Sequence, residues 1–256
     1  MNILITGGNG YIGNTLYNAL KDTYNIISIS RDNFDLTCSD ATRIFFQHRL
    51  FDVVIHCAIS GGSRLKPDDS TVLDNNMRMY YNLYNNKSHF TKFINFGSGA
   101  ELYNQDTLYG FSKSVIRQSI LNNENFYNLR LYAVFDENEL DTRFIKANIK
   151  KYIEKQQMII HQDKYMSFFY MKDLITLVKY YIDNQKLEKE INCCYKEIYS
   201  LEKIAQLIND LGEHKVEVKK QIKDIGSGYY GVNLFQPDIE FLGLKNGIRE
   251  VYNKLK

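Results

Sequence analysis

Three glycines near the N-terminus constrain the fold of this chain more than any other feature. They are Gly7, Gly10 and Gly13. The run before them, residues 2–6, is rich in β-branched residues, and the sequence after them favours a helix to about Asp22. In such a strand, turn and helix, the glycines make the tight turn, admit a pyrophosphate and let the helix pack on the sheet, while the helix N-terminus offers N–H groups to the anion. The pattern predicts dinucleotide binding, and a purely structural turn is the alternative.

Segments that favour strands and helices alternate through the first half of the chain. Strands are predicted at 25–30, 52–57, 92–96 and 127–134, and helices at 40–49, about 72–87 and from near Tyr109. Alternation of this kind builds a parallel sheet with helices on both faces, joined by right-handed crossovers. The fold class predicted is therefore α/β, with a Rossmann-type doubly wound parallel sheet.

The last third of the chain is less regular and mostly helical. Helices are predicted at 143–155, 172–184, 201–208 and 246–255. Ser200 lies where the side chain of a helix N-cap is expected. We divide the chain into a dinucleotide-binding core with the Ser/Tyr/Lys site, residues 1–135, and a smaller substrate-binding lobe, residues 136–256. Within the lobe, a strand and helix near 158–184 are expected to return to the core.

Composition limits the kinds of partner and the cellular compartment that we expect for this chain. The 256 residues carry a net charge of +2, which gives no reason to expect a nucleic acid or an anionic membrane as partner. No apolar run approaches the ~20 residues of a membrane span or the length of a secretory signal. The four cysteines show no disulfide or CxxC pattern, and the five histidines have no metal-site spacing. We expect a cytoplasmic protein without a metal.

The end of the second predicted strand indicates which dinucleotide binds. Ser30 is followed by Arg31, where NAD-binding proteins carry an acidic residue that accepts hydrogen bonds from the ribose 2′-hydroxyl. A guanidinium instead matches the oxygens of a 2′-phosphate. NADP (NADPH) is therefore the predicted cofactor. NAD is the alternative, because Asp32 lies beside Arg31.

Three polar residues predict carbonyl chemistry. Tyr109 and Lys113 are one helical turn apart and so share a face. The lysine ammonium stabilises a tyrosinate, which makes the tyrosine a general acid for a carbonyl oxygen. Ser98 follows the strand at 92–96, at the sheet edge where α/β proteins bind ligands, and can donate to the same oxygen. A tyrosine-rich surface is the alternative, since the chain has 20 tyrosines.

These motifs resemble the extended short-chain dehydrogenase/reductases, in their nucleotide-sugar epimerase/dehydratase branch. The likeness is carried by Thr6 to Gly13, residues 52–58, Ser98, Tyr109 to Lys113, Leu129 to Tyr132, and the segments 167–174 and 241–248. The resemblance implies that Asn76 is the helix asparagine that holds a water in the family's proton relay. It also implies a homodimer, because the helices of Tyr80, Tyr81, Tyr84 and Tyr109 match those of a two-fold four-helix interface.

Within this branch, residues 31–37 and 41–46 are similar to dTDP-4-dehydrorhamnose reductases and GDP-fucose synthases. The likeness implies hydride delivery from NADPH to C4 of a nucleotide-linked 4-keto-6-deoxysugar, a step of deoxysugar and polysaccharide biosynthesis. Tyr109 would protonate the alkoxide, Lys113 would hold the ribose hydroxyls and tune Tyr109, and Ser98 would orient the ketone.

Sequence and resemblance together give a set of expected site residues. The catalytic residues are Ser98, Tyr109, Lys113 and Asn76. The cofactor-binding residues are Gly7, Gly10, Tyr11, Ile12, Gly13, Arg31, Asp35, Leu36, Cys57, Ala58, Ile59, Tyr109, Lys113 and Tyr132. The substrate-binding residues are Ser98, Gly99, Ala100, Tyr109 and Arg143. Asp35 and Leu36 correspond to the pair that lies beside the adenine, and Cys57 is interpreted as a small buried residue beside the cofactor.

Departures from the family pattern narrow the reaction. The chain has Gly99 and Ala100 where a 4,6-dehydratase carries Asp-Glu, which argues against dehydration. Ala100 and Arg143 stand where fucose synthases use a Cys and a His to epimerise, so we expect reduction without epimerisation. The segment between Ser98 and Tyr109 is shorter than the family's loop, which predicts a more open pocket, and Met166 replaces an arginine.

Two alternatives to the reductase stay open. One is a nucleotide-sugar 4-epimerase that retains NAD(H). The other is a dinucleotide-binding sensor or partner subunit without catalysis.

Overall fold

The computed structural model describes residues 1–63, 65–233, 235 and 238–256. Two compact units divide the chain. The first unit joins Met1–Arg130 to Tyr181–Ile191, and the second joins Leu131–Tyr180 to Asn192–Lys256.

The strands of the described residues follow in chain order. They are β1 (Asn2–Thr6), β2 (Asn25–Ile29), β3 (Phe51–His56), β4 (Phe90–Ser98), β5 (Phe126–Leu131), β6 (Val134–Phe135), β7 (Met158–Gln162), β8 (Tyr165–Met166), β9 (Phe169–Tyr170), β10 (Glu190–Cys193), β11 (Tyr199–Ser200) and β12 (Val218–Ile222).

The helices of the same residues are numbered in the same way. They are α1 (Tyr11–Leu20), α2 (Ser39–Phe46), α3 (Thr71–Tyr84), α4 (Ala100–Tyr103), α5 (Leu108–Leu121), α6 (Phe144–Ile153), α7 (Met171–Asp183), α8 (Leu201–Asn209) and α9 (Gly243–Leu255).

Six of the described strands form the main sheet, in the order β10-β5-β4-β3-β1-β2. β1 pairs in parallel with both β2 and β3, and β3 pairs in parallel with β4. The chain adds β2 on one side of β1 and then continues with β3 on the other side. This change of direction opens a crevice for ligands at the carboxyl ends of the strands. The predicted Rossmann-type doubly wound fold is confirmed.

Apolar side chains of the first unit fill the space between the sheet and its helices. Leu4 and Val54 of the central strands are fully buried, as are Tyr80 and Leu83 of α3 and Ile120 of α5. The buried side chains therefore fix the position of these helices on the sheet. Burial of each large apolar side chain stabilises the packed structure by roughly 1.5–3 kcal/mol.

The second unit has its own core. The apolar faces of α6, α8 and α9 pack together around residues such as Ile149, Ile204 and Ile248. Short two-stranded sheets pair β7 with β12, β8 with β11 and β6 with β9. Ser200 caps α8 as predicted, because its side chain accepts a hydrogen bond from the Lys203 N–H.

Most predicted elements match, and the differences have physical causes. The predicted strand at 127–134 is wrong in its second half, because β5 ends at Leu131 and Val134–Phe135 forms β6, which pairs with β9. The strands β10, β11 and β12 and the single-turn helix α4 had no prediction. In the described part of the chain no helix combines the length and apolar character needed to cross a bilayer.

Candidate active site

The glycine turn lies between β1 and α1, and its backbone leaves no room for side chains. Gly7 has φ of +71°, and a Cβ there would lie 2.6 Å from the Ala58 nitrogen at the end of β3. A Cβ on Gly13 would lie 2.3 Å from the Gly7 carbonyl oxygen. Both positions therefore require glycine. Gly10 precedes α1 without a side-chain cap, so the helix N-terminus opens with backbone N–H groups.

Thr6 and His56 form hydrogen bonds beside the glycine turn. The Thr6 hydroxyl lies 2.8 Å from His56 Nδ1 and accepts a hydrogen bond from the Ala58 N–H at 3.2 Å. Burial and the charge of Lys113 lower the pKa of His56 to about 3. The ring is therefore neutral at physiological pH and acts as a fixed hydrogen-bonding partner.

A cavity of about 720 Å³ opens beside the glycine turn. Eight of the residues expected to bind a cofactor line it: Gly7, Gly10, Arg31, Asp35, Leu36, Cys57, Ala58 and Ile59. The apolar side chains of Ile29, Phe34 and Met79 also line it and had no prediction. A glycine cradle for a pyrophosphate beside an apolar slot for a planar base is what a dinucleotide requires.

Polar side chains at the rim of the cavity form hydrogen bonds with neighbouring protein groups. Asn9 Nδ2 donates to Asp32 Oδ2 at 2.6 Å. Asp35 accepts from the backbone N–H and the hydroxyl of Thr37, which lower the pKa of its carboxyl together with the charge of Arg31. The guanidinium of Arg31 therefore lies on the same rim as two carboxylates.

Ser98, Tyr109 and Lys113 all lie in the first unit, on β4 and α5. Ser98 ends β4, and its Oγ accepts a hydrogen bond from the Ala100 N–H at 3.2 Å. Tyr109 lies in the first turn of α5, whose N-cap Thr107 accepts from the Gly110 N–H. Gly99 and Ala100, expected to contact substrate, form the start of α4 directly after Ser98.

Lys113 contacts the strand end next to Ser98 and lies near the ring of Tyr109. Its Nζ donates to the Phe96 carbonyl oxygen at 2.6 Å, two residues before Ser98, and lies 5.9 Å from the centroid of the Tyr109 ring. The side chain is 6% exposed. Burial lowers the pKa of Lys113 to about 8, and the negative charge of Glu101 opposes this effect. Lys113 is thus an ammonium at neutral pH, next to the tyrosine whose ionised form it would stabilise.

A pair of glycines after β3 determines where the tyrosine ring can lie. Gly61 and Gly62 both have positive φ, and a Cβ on Gly62 would lie 2.8 Å from the Tyr109 ring. The Gly62 N–H donates to Asp68 Oδ1 at 2.8 Å. This contact had no prediction, although two adjacent glycines just beyond a buried strand are a sequence signal for a loop with unusual backbone geometry.

Asn76 connects the same loop to α5. Its Oδ1 accepts from the Ser60 N–H at 2.8 Å, and its Nδ2 donates to the Ser60 carbonyl and to Ser112 Oγ, each at 3.0 Å. The residue is 1% exposed. The structure therefore places this asparagine between the loop after β3 and the residue next to Lys113.

Two of the remaining expected residues adjoin the glycine turn and two lie in the second unit, while Cys57 lines the cavity. Tyr11 and Ile12 begin α1, while Cys57 is partly buried and burial raises the pKa of its thiol. Tyr132 and Arg143 belong to the second unit. There Tyr132 donates to Asn192 Oδ1 at 3.0 Å, and Arg143 is the residue before α6. Among the described residues no group of three His, Cys, Asp or Glu side chains could hold a metal ion.

A parallel sheet with a glycine turn after its first strand, a cavity at that turn and a Ser/Tyr/Lys set beside it defines a dinucleotide-binding α/β protein of the Rossmann type. Residues 3–194 match the model of the NAD dependent epimerase/dehydratase family, and the chain belongs to this family. The resemblance found in the sequence is confirmed.

Three known proteins illustrate the relationship. The chain is 22% identical to CDP-abequose synthase of Yersinia pseudotuberculosis, over 100% of both chains. It is similar in structure to the Bordetella bronchiseptica enzyme WbmG in complex with NAD and UDP, with a TM-score of 0.78, 19% identity and coverage of 98% and 94% of the two chains. It is also similar to GDP-mannoheptose C4 reductase of Campylobacter jejuni with NADP bound, with a TM-score of 0.74, 17% identity and coverage of 98% and 97%.

Proposed function

We propose that this protein is an NADP(H)-dependent reductase of a nucleotide-activated 4-keto-(6-deoxy)sugar. The observation that carries the proposal is the buried ammonium of Lys113, which contacts the strand end before Ser98 and lies 5.9 Å from the centroid of the Tyr109 ring. The similarity to a C4 reductase that binds NADP and to a CDP-sugar synthase supports it.

The glycine turn with Gly7 and Gly10 and the cavity beside it would hold a nicotinamide dinucleotide, which in its reduced form would supply the hydride. As the new C–H bond forms at C4, the electron pair of the carbonyl moves to its oxygen. Tyr109 gives its phenolic proton to that oxygen, and the Lys113 ammonium stabilises the tyrosinate left behind. Ser98 Oγ accepts from the Ala100 N–H, which fixes the position from which its hydroxyl can polarise the ketone.

The choice of NADP rests on Arg31 and on the contact made by Asp32. The Asp32 carboxylate accepts a hydrogen bond from Asn9, so part of its capacity to bind a ribose hydroxyl is already used. Arg31 lines the same cavity and supplies the planar donors that suit a 2′-phosphate.

The residues after Ser98 favour reduction alone. Gly99 and Ala100 have no group that can take a proton from carbon, and Ala100 is 7% exposed in the first turn of α4. A dehydratase or an epimerase working beside the ketone needs such a base.

A nucleotide-sugar 4-epimerase that retains NAD(H) is the second candidate. The observation that favours it is Asp32, an acidic residue at the end of β2 that lines the cofactor cavity. This enzyme would oxidise and then re-reduce C4, so it would consume no NADPH overall.

The homodimer belongs to the same proposal. α3 and α5 pack side by side, with the Tyr80 hydroxyl donating to Ser119 Oγ at 2.8 Å, and Tyr81 keeps 37% of its surface exposed on the outer side of α3. Tyr81→Glu should convert the dimer into a monomer in sedimentation measurements. A wild-type protein that sediments as a monomer would refute this part.

The decisive experiment offers a panel of nucleotide 4-keto-sugars and NADPH to the enzyme. Loss of NADPH absorbance and product stereochemistry are measured for wild type and for Tyr109→Phe. We expect the variant to lose about 10²–10⁴-fold in kcat/KM, because general acid catalysis is removed. The proposal fails if no keto-sugar is reduced or if the variant is as active as wild type. Tightly bound NAD(H) with no net NADPH consumption would instead support the epimerase.

A further inference from the structure

A row of four alternating charges links α5, β10, β5 and α4 and ends at the candidate active site. Arg117 of α5 contacts Glu190 of β10 at 2.5 Å, and Glu190 contacts Arg130 of β5 at 2.7 Å. Arg130 in turn contacts Glu101 of α4 at 2.5 Å. The charges alternate along the row, so each carboxylate has a guanidinium beside it.

Glu101 is the most deeply buried member of this row. It has 0% exposure, although it follows Ser98 by only three residues. Its Oε1 accepts hydrogen bonds from Arg130 Nε and, at 2.9 Å, from Asn128 Nδ2, and its Oε2 accepts from the Ser98 N–H at 3.3 Å. Burial raises the pKa of Glu101, and the charge and hydrogen bond of Arg130 oppose that effect. Three donors around one carboxyl group suit its ionised form, which is an acceptor only.

Glu101 and Lys113 carry opposite charges, and both contact the backbone of the same segment, Phe96 to Ser98. Lys113 Nζ donates to the carbonyl of Phe96, and Glu101 Oε2 accepts from the N–H of Ser98. Between them lies Gly97, where a Cβ would come within 2.8 Å of Glu101 Oε2. The glycine therefore leaves the space that the carboxylate occupies, and the end of β4 is held between an ammonium and a carboxylate.

We propose that Glu101 is a positioning residue of the candidate active site: it fixes the backbone of Ser98 and places a carboxylate on the same strand end that the Lys113 ammonium contacts. Lys113 rather than Glu101 would face the reacting tyrosine. This inference deepens the proposed function and rests on it, since the ammonium matters because it stabilises the tyrosinate.

The other groups near Lys113 do not supply the same charge. His56 and Cys57 reach it from the end of β3, and Tyr109 lies one turn away on α5. Burial lowers the pKa of His56 and raises the pKa of Cys57, so both are neutral at physiological pH. Of the groups named here around Lys113, Glu101 is the anion.

Glu101→Gln and Glu190→Gln form a matched pair of variants. Both remove a carboxylate that is paired with Arg130, so both leave that guanidinium with one fewer partner. Glu190 forms its ion pairs with Arg117 and Arg130, whereas Glu101 also binds the Ser98 N–H at the strand end. The pair therefore separates loss of the ion row from loss of the charge that acts on Lys113.

The readout is the titration of Lys113 itself. Protein labelled with ¹³C at the lysine side chains is titrated by NMR, and the Lys113 resonance is assigned by its loss in Lys113→Met. We expect Glu101→Gln to lower the Lys113 midpoint by about one pH unit or more, and Glu190→Gln to leave it close to wild type. An unchanged midpoint in Glu101→Gln, or an equal shift in both variants, overturns the proposal.

A second variant serves if Glu101→Gln does not fold. Glu101→Gln combined with Arg130→Met removes both members of the buried pair, which avoids an unpaired buried cation. Burial of Lys113 remains and the charge of Glu101 is lost, so the double variant should still show a lowered midpoint. A wild-type midpoint in the folded double variant overturns the proposal.

Kinetics then separate this inference from the proposed function. If wild type reduces a keto-sugar, the alkaline limb of its kcat/KM profile should move to lower pH in Glu101→Gln and stay in place in Glu190→Gln. An active wild type whose limb does not move in Glu101→Gln overturns the role of Glu101 and leaves the reductase standing. If no keto-sugar is reduced, the proposed function fails, while the NMR titration still decides whether Glu101 sustains the ammonium.

Discussion

Asn9 donates a 2.6 Å hydrogen bond to Asp32, which ties the glycine turn to the end of β2. The contact holds a carboxylate against the turn that would bind the pyrophosphate, one residue beyond the guanidinium of Arg31. For the proposed reductase, cofactor choice at this rim would therefore be a competition between Arg31 and a partly engaged Asp32.

Arg31→Ala tests which side of this competition dominates. We expect it to weaken NADPH binding by about 10–100-fold, the value of one charge-assisted contact, with little effect on NADH. Dissociation constants for both cofactors, from calorimetry or fluorescence titration, provide the measurement. Arg43→Ala, at an exposed position paired with Asp40, is the control. Equal weakening of both cofactors would remove the argument for a 2′-phosphate.

Gly62→Ala tests the contact between the loop after β3 and Tyr109. The substitution forces a Cβ to within 2.8 Å of the tyrosine ring at a residue with φ of +70°. We expect the free energy of unfolding to fall by about 1–2 kcal/mol from the backbone strain and kcat to fall at least tenfold from displacement of the ring.

Gly243→Ala is the matched control for this variant. Gly243 also has positive φ, at +81°, but a Cβ there meets nothing within 4 Å. It should show the same loss of stability in urea denaturation and keep its kcat. If both variants lose stability alone, the loop does not position Tyr109.

Lys113→Met should change how stability depends on pH. The pKa of Lys113 falls from 10.5 to about 8 on folding because the side chain is buried. Between these values the unfolded chain binds more protons than the folded chain, so the free energy of unfolding of wild type rises with pH through this window. Methionine cannot be protonated and lacks the rise.

Urea denaturation of both proteins near pH 7 and near pH 9.5 measures this difference. Between the two conditions we expect the free energy of unfolding of wild type to rise by about 2 kcal/mol more than that of Lys113→Met. Lys245→Met, at an exposed position, should give a curve that follows wild type at both. Parallel behaviour of wild type and Lys113→Met would mean that burial does not shift the titration of this lysine.

Lys92→Met tests a buried cation that has no part in the proposed chemistry. Lys92 Nζ donates to the carbonyl oxygens of Tyr181, Ile182 and Asn184, at and just beyond the end of α7. Its loss leaves those carbonyls without their cation, so the free energy of unfolding should fall by about 2–3 kcal/mol. Lys219→Met, in exposed β12, should change it by less than about 0.5 kcal/mol. A Lys92 variant as stable as the control would contradict this role.

Local patterns account for what the sequence predicted correctly. The turn from Gly7 to Gly13 and the strand before it are specified by neighbouring residues, so their positions could be derived without any long-range contact. The spacing of Tyr109 and Lys113 likewise needed only the period of a helix. Burial of Lys113 and its bond to Phe96 could not be derived, because they depend on how α5 packs on β4.

Polar residues in the interior were the main omission. Glu101, Lys92 and Glu190 carry charges, and a charged side chain normally indicates an exposed position. Each is buried or half-buried because a partner distant in sequence accompanies it, such as Arg130 for Glu101. The strand β10 was missed for a related reason, since it becomes a strand by joining the edge of a sheet formed by residues far earlier in the chain.

The division of the first unit has a consequence for how the protein is made. Residues 181–191 complete a body whose other members all lie before residue 131. Lys92 and Arg130 bind groups in this late segment. A chain emerging from the ribosome must therefore hold its first 130 residues short of their native state while about 60 more are synthesised, a wait of several seconds. During that interval the open edge of β5 is exposed to other chains, which makes this the stage of biogenesis at which a chaperone would matter most.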